Sequence, residues 1–91
     1  MANETRARAV ISGRVQGVFY RASARHEAEQ RGLSGYARNL MDGRVEVLIC
    51  GPKSSVDDFC VWLSNGPANA EVSNVSCAPA NENPPPVFSV E

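Results

Sequence analysis

Residues 35–51 read Gly35-Tyr36-Ala37-Arg38-Asn39-Leu40-Met41-Asp42-Gly43-Arg44-Val45-Glu46-Val47-Leu48-Ile49-Cys50-Gly51, and the fold turns on them. Asp42-Gly43 is a hairpin signal, because glycine accepts the positive φ that a tight turn between antiparallel strands requires. The strand before the turn is predicted over Gly35 to Leu40, with Tyr36, Arg38 and Leu40 on one face. The returning strand, Arg44 to Cys50, alternates: Val45, Val47 and Ile49 face one side, Glu46, Leu48 and Cys50 the other. Gly51-Pro52 closes it.

Outward from this hairpin, each side supplies one helix and one strand. Arg8 to Ser12 reads as a strand, followed by the loop Gly13-Arg14-Val15-Gln16-Gly17-Val18 and a helix from about Tyr20 to Arg31. The helix is rich in alanine, Glu27 and Arg31 form a favourable i,i+4 pair, and Gly32 stops it. Its mostly alanine face predicts close approach to whatever it packs on. Downstream, Ser55 is placed to cap a second helix, with Asp57 and Asp58 at the positive end of its dipole and Asp58 as capping-box acceptor. Val56, Phe59, Cys60 and Leu63 recur at helical spacing, with Trp62 beside them, before Gly66-Pro67 ends the helix. Glu71 to Ala78 reads as a strand, although Val72 and Val75 break strict alternation. Val87 to Val90 reads as a short edge strand. The order βαββαβ describes an α+β fold of the ferredoxin-like split βαβ type, an antiparallel sheet with two helices on one face. That fold hosts many functions and decides none of them.

The chain has 91 residues, which suits one domain over residues 1–91. Nine basic and ten acidic residues give a net charge of -1, which argues against a protein that works chiefly on nucleic acid or an anionic membrane. No apolar run approaches the roughly 18 residues a bilayer span needs. The first six residues lack the apolar stretch of a secretory signal, so the cytoplasm is the expected location. Three cysteines, Cys50, Cys60 and Cys77, form neither a C-x-x-C pair nor an even framework. They read as buried or half-buried thiols, with one pairing among them left open.

The stretch Gly13-Arg14-Val15-Gln16-Gly17-Val18-Phe19-Tyr20-Arg21 is where chemistry could sit. A strand-to-helix turn aims several main-chain N–H groups at one point beside the positive end of a helix, which suits phosphate or carboxylate. Arg21 adds a permanently charged guanidinium. The spacing is neither that of a P-loop nor that of a dinucleotide fingerprint. Taken alone, a turn that needs two glycines is the commoner explanation of such a loop. Likewise, Asn39 is either an asparagine near a turn or an amide able to hold a water beside the loop.

Together, the two stretches resemble the signatures of the acylphosphatase family. The first pattern, glycine-x-valine-glutamine-glycine-valine-x-aromatic-arginine, falls on Gly13, Val15, Gln16, Gly17, Val18, Tyr20 and Arg21. The second falls on Gly35, Tyr36, Ala37, Arg38, Asn39, Gly43 and Val45, with a later glycine at Gly51. Tyr20 stands where phenylalanine is usual, and Pro84-Pro85-Pro86 is atypical and bears on the register of the last strand. The resemblance implies hydrolysis of the carboxyl–phosphate bond of a small-molecule acyl phosphate to a carboxylate and inorganic phosphate. Phosphate would be product and inhibitor, and neither metal nor cofactor would take part. It implies Arg21 and Asn39 as catalytic residues, with the phosphate held by main-chain amides of Val15, Gln16, Gly17, Val18, Phe19 and Tyr20 together with Arg21. A monomer is expected. The alternative is a non-catalytic anion-binding or regulatory module on the same scaffold.

Elementary electrostatics agrees with that assignment. An acyl phosphate carries a good leaving group, so what must be supplied is charge neutralisation and a positioned water. A carboxylate base beside the phosphoryl dianion would meet repulsion, roughly 3–4 kcal/mol for each like-charge pair about 4–5 Å apart at an effective dielectric of 20. The neutral amide of Asn39 avoids this while still accepting from water. His26, the single histidine, falls on another face of the helix from Arg21 and reads as a solvated surface residue. Gln16 reads as shaping the loop through hydrogen bonds to the main chain. Phe59 and Trp62 read as core.

Overall fold

The structure, a computed structural model, describes residues 4–17 and 19–91. Along the chain run β1 (Glu4–Arg14), α1 (Tyr20–Gln30), β2 (Ser34–Asn39), β3 (Val45–Pro52), α2 (Lys53–Asn65), β4 (Glu71–Pro79) and β5 (Ser89–Val90). The strands form one sheet in the order β4-β1-β3-β2-β5. β1 pairs antiparallel with β3 and β4, and β2 pairs antiparallel with β3. This is the split βαβ arrangement expected from the hairpin and its flanks.

The last strand departs from a wholly antiparallel sheet. β5 runs parallel to β2, with Tyr36 opposite Ser89 and Ala37 opposite Val90. The chain leaves β4 at the end of the sheet where β1 begins, since Ala80 N–H donates to the Arg6 carbonyl at 3.1 Å. Asn81 and Glu82 touch Arg6 and Arg8. Crossing at that end reverses the chain relative to β4 and so aligns it with β2. Four strand spacings amount to roughly 19 Å. Pro84, Pro85 and Pro86 lie within the crossing, where a fixed φ favours extended chain and no sheet N–H is lost.

The core lies between the sheet and both helices. Ala9, Ile11, Ala37, Val45, Val47 and Ile49 from the strands meet Ala24 and Ala28 of α1 and Val56, Phe59 and Leu63 of α2, all buried. Ala24 and Ala28, with Tyr20, are the residues that α1 buries. Trp62 is half-buried and stacks on Phe59 at 5.9 Å between ring centres. On the other face of the sheet Leu48 and Tyr36 are buried too, beneath charged side chains. The Glu46 carboxylate lies 2.6 Å from Arg38 Nε and 3.1 Å from Arg8 Nε. The Arg38 guanidinium sits 5.1 Å from the centre of the Tyr36 ring, so the aliphatic stems of these arginines shield apolar surface.

Two sequence expectations need correction or explanation. Ser55 does not cap α2. The helix begins at Lys53 after Pro52, which holds an extended φ of -59° and ψ of 142° with no side-chain cap. Pro52 is pre-set for helix entry, so the first turn forms two residues before the expected cap. Asp57 and Asp58 therefore lie in the second turn. There Asp57 accepts from Lys53 Nζ at 2.7 Å, and Asp58 accepts from Arg31 Nε at 2.7 Å. Arg31 also pairs with Glu27 at 2.7 Å, as expected.

The broken alternation of Val72 and Val75 has a structural cause. Ser12 pairs with Asn74, but Gly13 pairs with Val72, so the register slips at a β-bulge and Ser73 becomes the extra residue. Both valines then pack against the core. Gly13 has a φ of +123°, and a Cβ there would lie 2.1 Å from the Glu71 carbonyl oxygen. The bulge therefore needs glycine at the position where β1 hands over to the loop.

Candidate active site

The loop after β1 is held on both sides by groups foreseeable from sequence only in part. On one side, Gln16 Nε2 donates to the Leu40 carbonyl at 2.8 Å and to the Arg44 carbonyl at 2.9 Å. One amide thus ties the loop to both stems of the β2–β3 hairpin, which is the shaping role expected of Gln16. The tie also draws the loop to the hairpin end where Asn39 stands, one residue before Leu40. Asn39 is exposed and opposite Val45 in the β2–β3 ladder.

On the other side stands Tyr20, buried at the start of α1. Its hydroxyl donates to the Leu63 carbonyl at 2.6 Å. In an α-helix that carbonyl would accept from the N–H four residues on, but residue 67 is Pro67 and has none. The phenol supplies the missing donor, which accounts for a tyrosine where phenylalanine is usual in the family it resembles. Burial pushes the phenol well above its ordinary range, with the nearby Cys77 adding to the shift.

Between these anchors the backbone takes unusual conformations. Gly17 has a φ of +75° with open space where a Cβ would point, so glycine is wanted there for the dihedral alone. Phe19 is left-handed, with φ 62° and ψ 23°, and stands as the residue before α1. Among the described residues of this loop, the N–H groups of Val15, Gln16, Gly17 and Phe19 donate no main-chain hydrogen bond outside the regular elements. Among the described residues these donors, in the turn that leads into α1, have no main-chain acceptor.

A pocket of about 270 Å³ opens at this point, lined by Val15, Gly17, Phe19, Tyr20 and Arg21, with Val90 of β5 across from them. No Asp, Glu or His lines it. The Arg21 guanidinium donates to the main-chain oxygen of Glu91. The N–H of Glu91 in turn donates to the Ala37 carbonyl at 2.8 Å, two residues before Asn39. Arg21 is thereby tethered towards β2 through the last strand, a link the sequence does not foreshadow because β5 meets β2 only after the 80–88 crossing.

The structure thus gathers Val15, Gly17, Phe19, Tyr20 and Arg21 into one pocket. Gln16 stands behind it as a brace, and Asn39 stands on the adjoining strand end without lining it. Val18 lies outside the described residues. His26 is exposed and faces Gln30, at 3.1 Å between side-chain nitrogens, away from the pocket. Among the described residues no helix is long and apolar enough to cross a membrane.

Fold and pocket together define a class: a ferredoxin-like α+β domain whose β1–α1 turn and first helical arginine line a small pocket with no Asp or Glu among the lining residues. Comparison with known proteins narrows this. The acylphosphatase family model matches residues 7–90. An acylphosphatase of Alkalilimnicola ehrlichii is 56% identical over 88 residues, covering 97% of this chain and 98% of the relative. One from Halorhodospira halophila is 51% identical over 87 residues, covering 96% and 95%. The solved acylphosphatase from Coxiella burnetii superposes with a TM-score of 0.93 at 40% identity, covering 98% of this chain and 94% of that one. The chain belongs to the acylphosphatase family, hydrolases that act on acyl phosphates.

Proposed function

We propose that this chain hydrolyses the carboxyl–phosphate bond of a small acyl phosphate without metal or cofactor, acting as a cytoplasmic monomer with neither nucleic acid nor membrane as partner. Main-chain amides of residues 15–20 hold the phosphoryl oxygens, joined by Arg21. Asn39 orients the attacking water. The water attacks phosphorus, the P–O bond to the acyl group breaks, and the carboxylate leaves with the bonding pair. The water's protons pass to phosphate oxygens. Inorganic phosphate, sharing the cradle, competes with substrate.

What supports this reading is that the turn between β1 and α1, whose described amides have no main-chain acceptor among the described residues, lines one pocket together with Arg21, with no Asp or Glu among the lining residues. Anion binding is favoured there, and a water beside the dianion is best held by a neutral group. Arg21→Ala and Asn39→Ala are each expected to lower kcat/KM on acetyl phosphate by roughly a hundredfold or more, the usual loss for one preorganised polar group. Arg21→Ala also weakens inhibition by phosphate. A wild-type rate in either variant rejects that residue's role, and undiminished turnover after chelation separates this chemistry from a metal-dependent one.

A further inference from the structure

Phe19 is costly where it stands. A large side chain in the left-handed region strains the backbone by about 1–2 kcal/mol, and the ring is 78% exposed. Glycine or asparagine would fit that backbone more easily. The ring nonetheless lines the same pocket as Arg21, together with the apolar side chains of Ala22 and Val90. In an acyl phosphate the acyl carbon is one oxygen away from phosphorus. With the phosphoryl group in the cradle, the acyl substituent is therefore carried to the pocket rim within a few ångströms. A two-carbon acyl group ends at the rim, whereas an aromatic one reaches the ring.

Resting on the function just proposed, we infer that Phe19 is a specificity residue whose side chain receives the acyl substituent and favours aromatic or bulky apolar acyl phosphates over short ones. The test is the ratio of kcat/KM for benzoyl phosphate to that for acetyl phosphate, in which any shared change in the phosphoryl cradle cancels. Phe19→Ala is expected to lower the ratio about tenfold, the scale of one lost aromatic contact, and Phe19→Leu to hold it within about threefold of wild type. A ratio within twofold of wild type in Phe19→Ala overturns the inference and leaves the hydrolytic function standing. Failure of the wild type to hydrolyse either compound overturns the underlying function instead.

A second observation, independent of the first, concerns Cys60 of α2 and Cys77 of β4. Their sulfurs lie 3.5 Å apart, Cys77 is exposed, and Cys60 is half-buried. Cys77 pairs in register with the buried Ala9, which turns its side chain towards α2. We propose that these two thiols form a reversible intramolecular disulfide that fastens α2 to the edge strand. With hydrogen peroxide as oxidant, the exposed Cys77 thiolate attacks one peroxide oxygen to give a sulfenic acid and hydroxide, which takes up the proton the thiol released. Cys60 sulfur then displaces hydroxide from it, so two thiols and one peroxide yield one disulfide and two waters. Burial pushes the Cys60 thiol up to about 12, which leaves the first attack to Cys77.

The measurement is free-thiol titration and the thermal midpoint before and after peroxide. Two of the three thiols should disappear, with Cys50 retained. The midpoint should rise by about 10–20 °C, as expected for closing a loop of this length in a domain this small. Reductant should reverse both changes, and Cys60→Ser or Cys77→Ser should abolish them. Retention of all three thiols, or a disulfide found only between two molecules, overturns the proposal.

Discussion

Replacing Tyr20 with phenylalanine removes one oxygen and tests the link between the start of α1 and the end of α2. The hydroxyl is buried and makes one hydrogen bond, to the Leu63 carbonyl at 2.6 Å. Pro67 denies that carbonyl its helical donor, so the loss is a hydrogen bond plus a buried acceptor left unpaired. Those effects together come to about 1–2 kcal/mol, or roughly 4–15 °C in the melting midpoint of a domain this size. The pH dependence adds a second signature. Burial holds the folded phenol above its unfolded value, so its contribution is fully present below about pH 10 and is lost as pH rises beyond it. The wild-type advantage over Tyr20→Phe should therefore shrink above about pH 10, at up to about 1.4 kcal/mol per pH unit. Urea denaturation of both proteins from pH 7 to 11 measures this. A variant as stable as wild type at pH 7, or a gap that widens with alkali, would refute the reasoning.

Gly13→Ala forces a Cβ against the Glu71 carbonyl oxygen at 2.1 Å and should cost about 2–4 kcal/mol by denaturant titration; a loss below about 1 kcal/mol would mean the bulge relocates. Gln16→Glu keeps the shape but removes the donors to the Leu40 and Arg44 carbonyls, and kcat/KM should fall about tenfold. Wild-type kinetics there would show that the loop needs no brace. Glu46→Ala strips the partner shared by Arg8 and Arg38, which should lower the urea midpoint at low salt and less at high salt, because the arginines are partly solvated. A loss indifferent to salt would locate the effect in packing.

Much of this architecture is legible in the sequence, for reasons particular to each element. The hairpin is local: Asp42-Gly43 and the alternating valines carry their meaning within a few residues. The loop after β1 is legible because its glycines and Arg21 match the pattern by which the sequence resembles the acylphosphatase family. The start of α2 is misread because Ser55 and Asp58 have local capping chemistry, whereas Pro52 imposes the entry three residues earlier. The spacing of Val72 and Val75 looks like noise in one strand, and only pairing with β1 shows it to be the imprint of a bulge. The direction of β5 is set by which end of the sheet the 80–88 segment crosses, and no short window encodes that. The Tyr20–Leu63 bond joins residues 43 apart, although a tyrosine in place of phenylalanine and a proline after a helix are each visible in the sequence.

The tether from Arg21 through Glu91 to Ala37 ties the pocket to the order in which the molecule assembles. Residue 21 and its anchor are separated by 70 positions, and the anchor arrives only after the chain has spanned the full width of the sheet. Contacts between such distant parts of a chain are slow to form, because the entropy of closing so large a loop is lost before any contact rewards it. A chain whose other four strands have paired still lacks a settled guanidinium. Recovery of turnover during refolding should therefore lag behind burial of Trp62, and catalysis would report the arrival of the last strand.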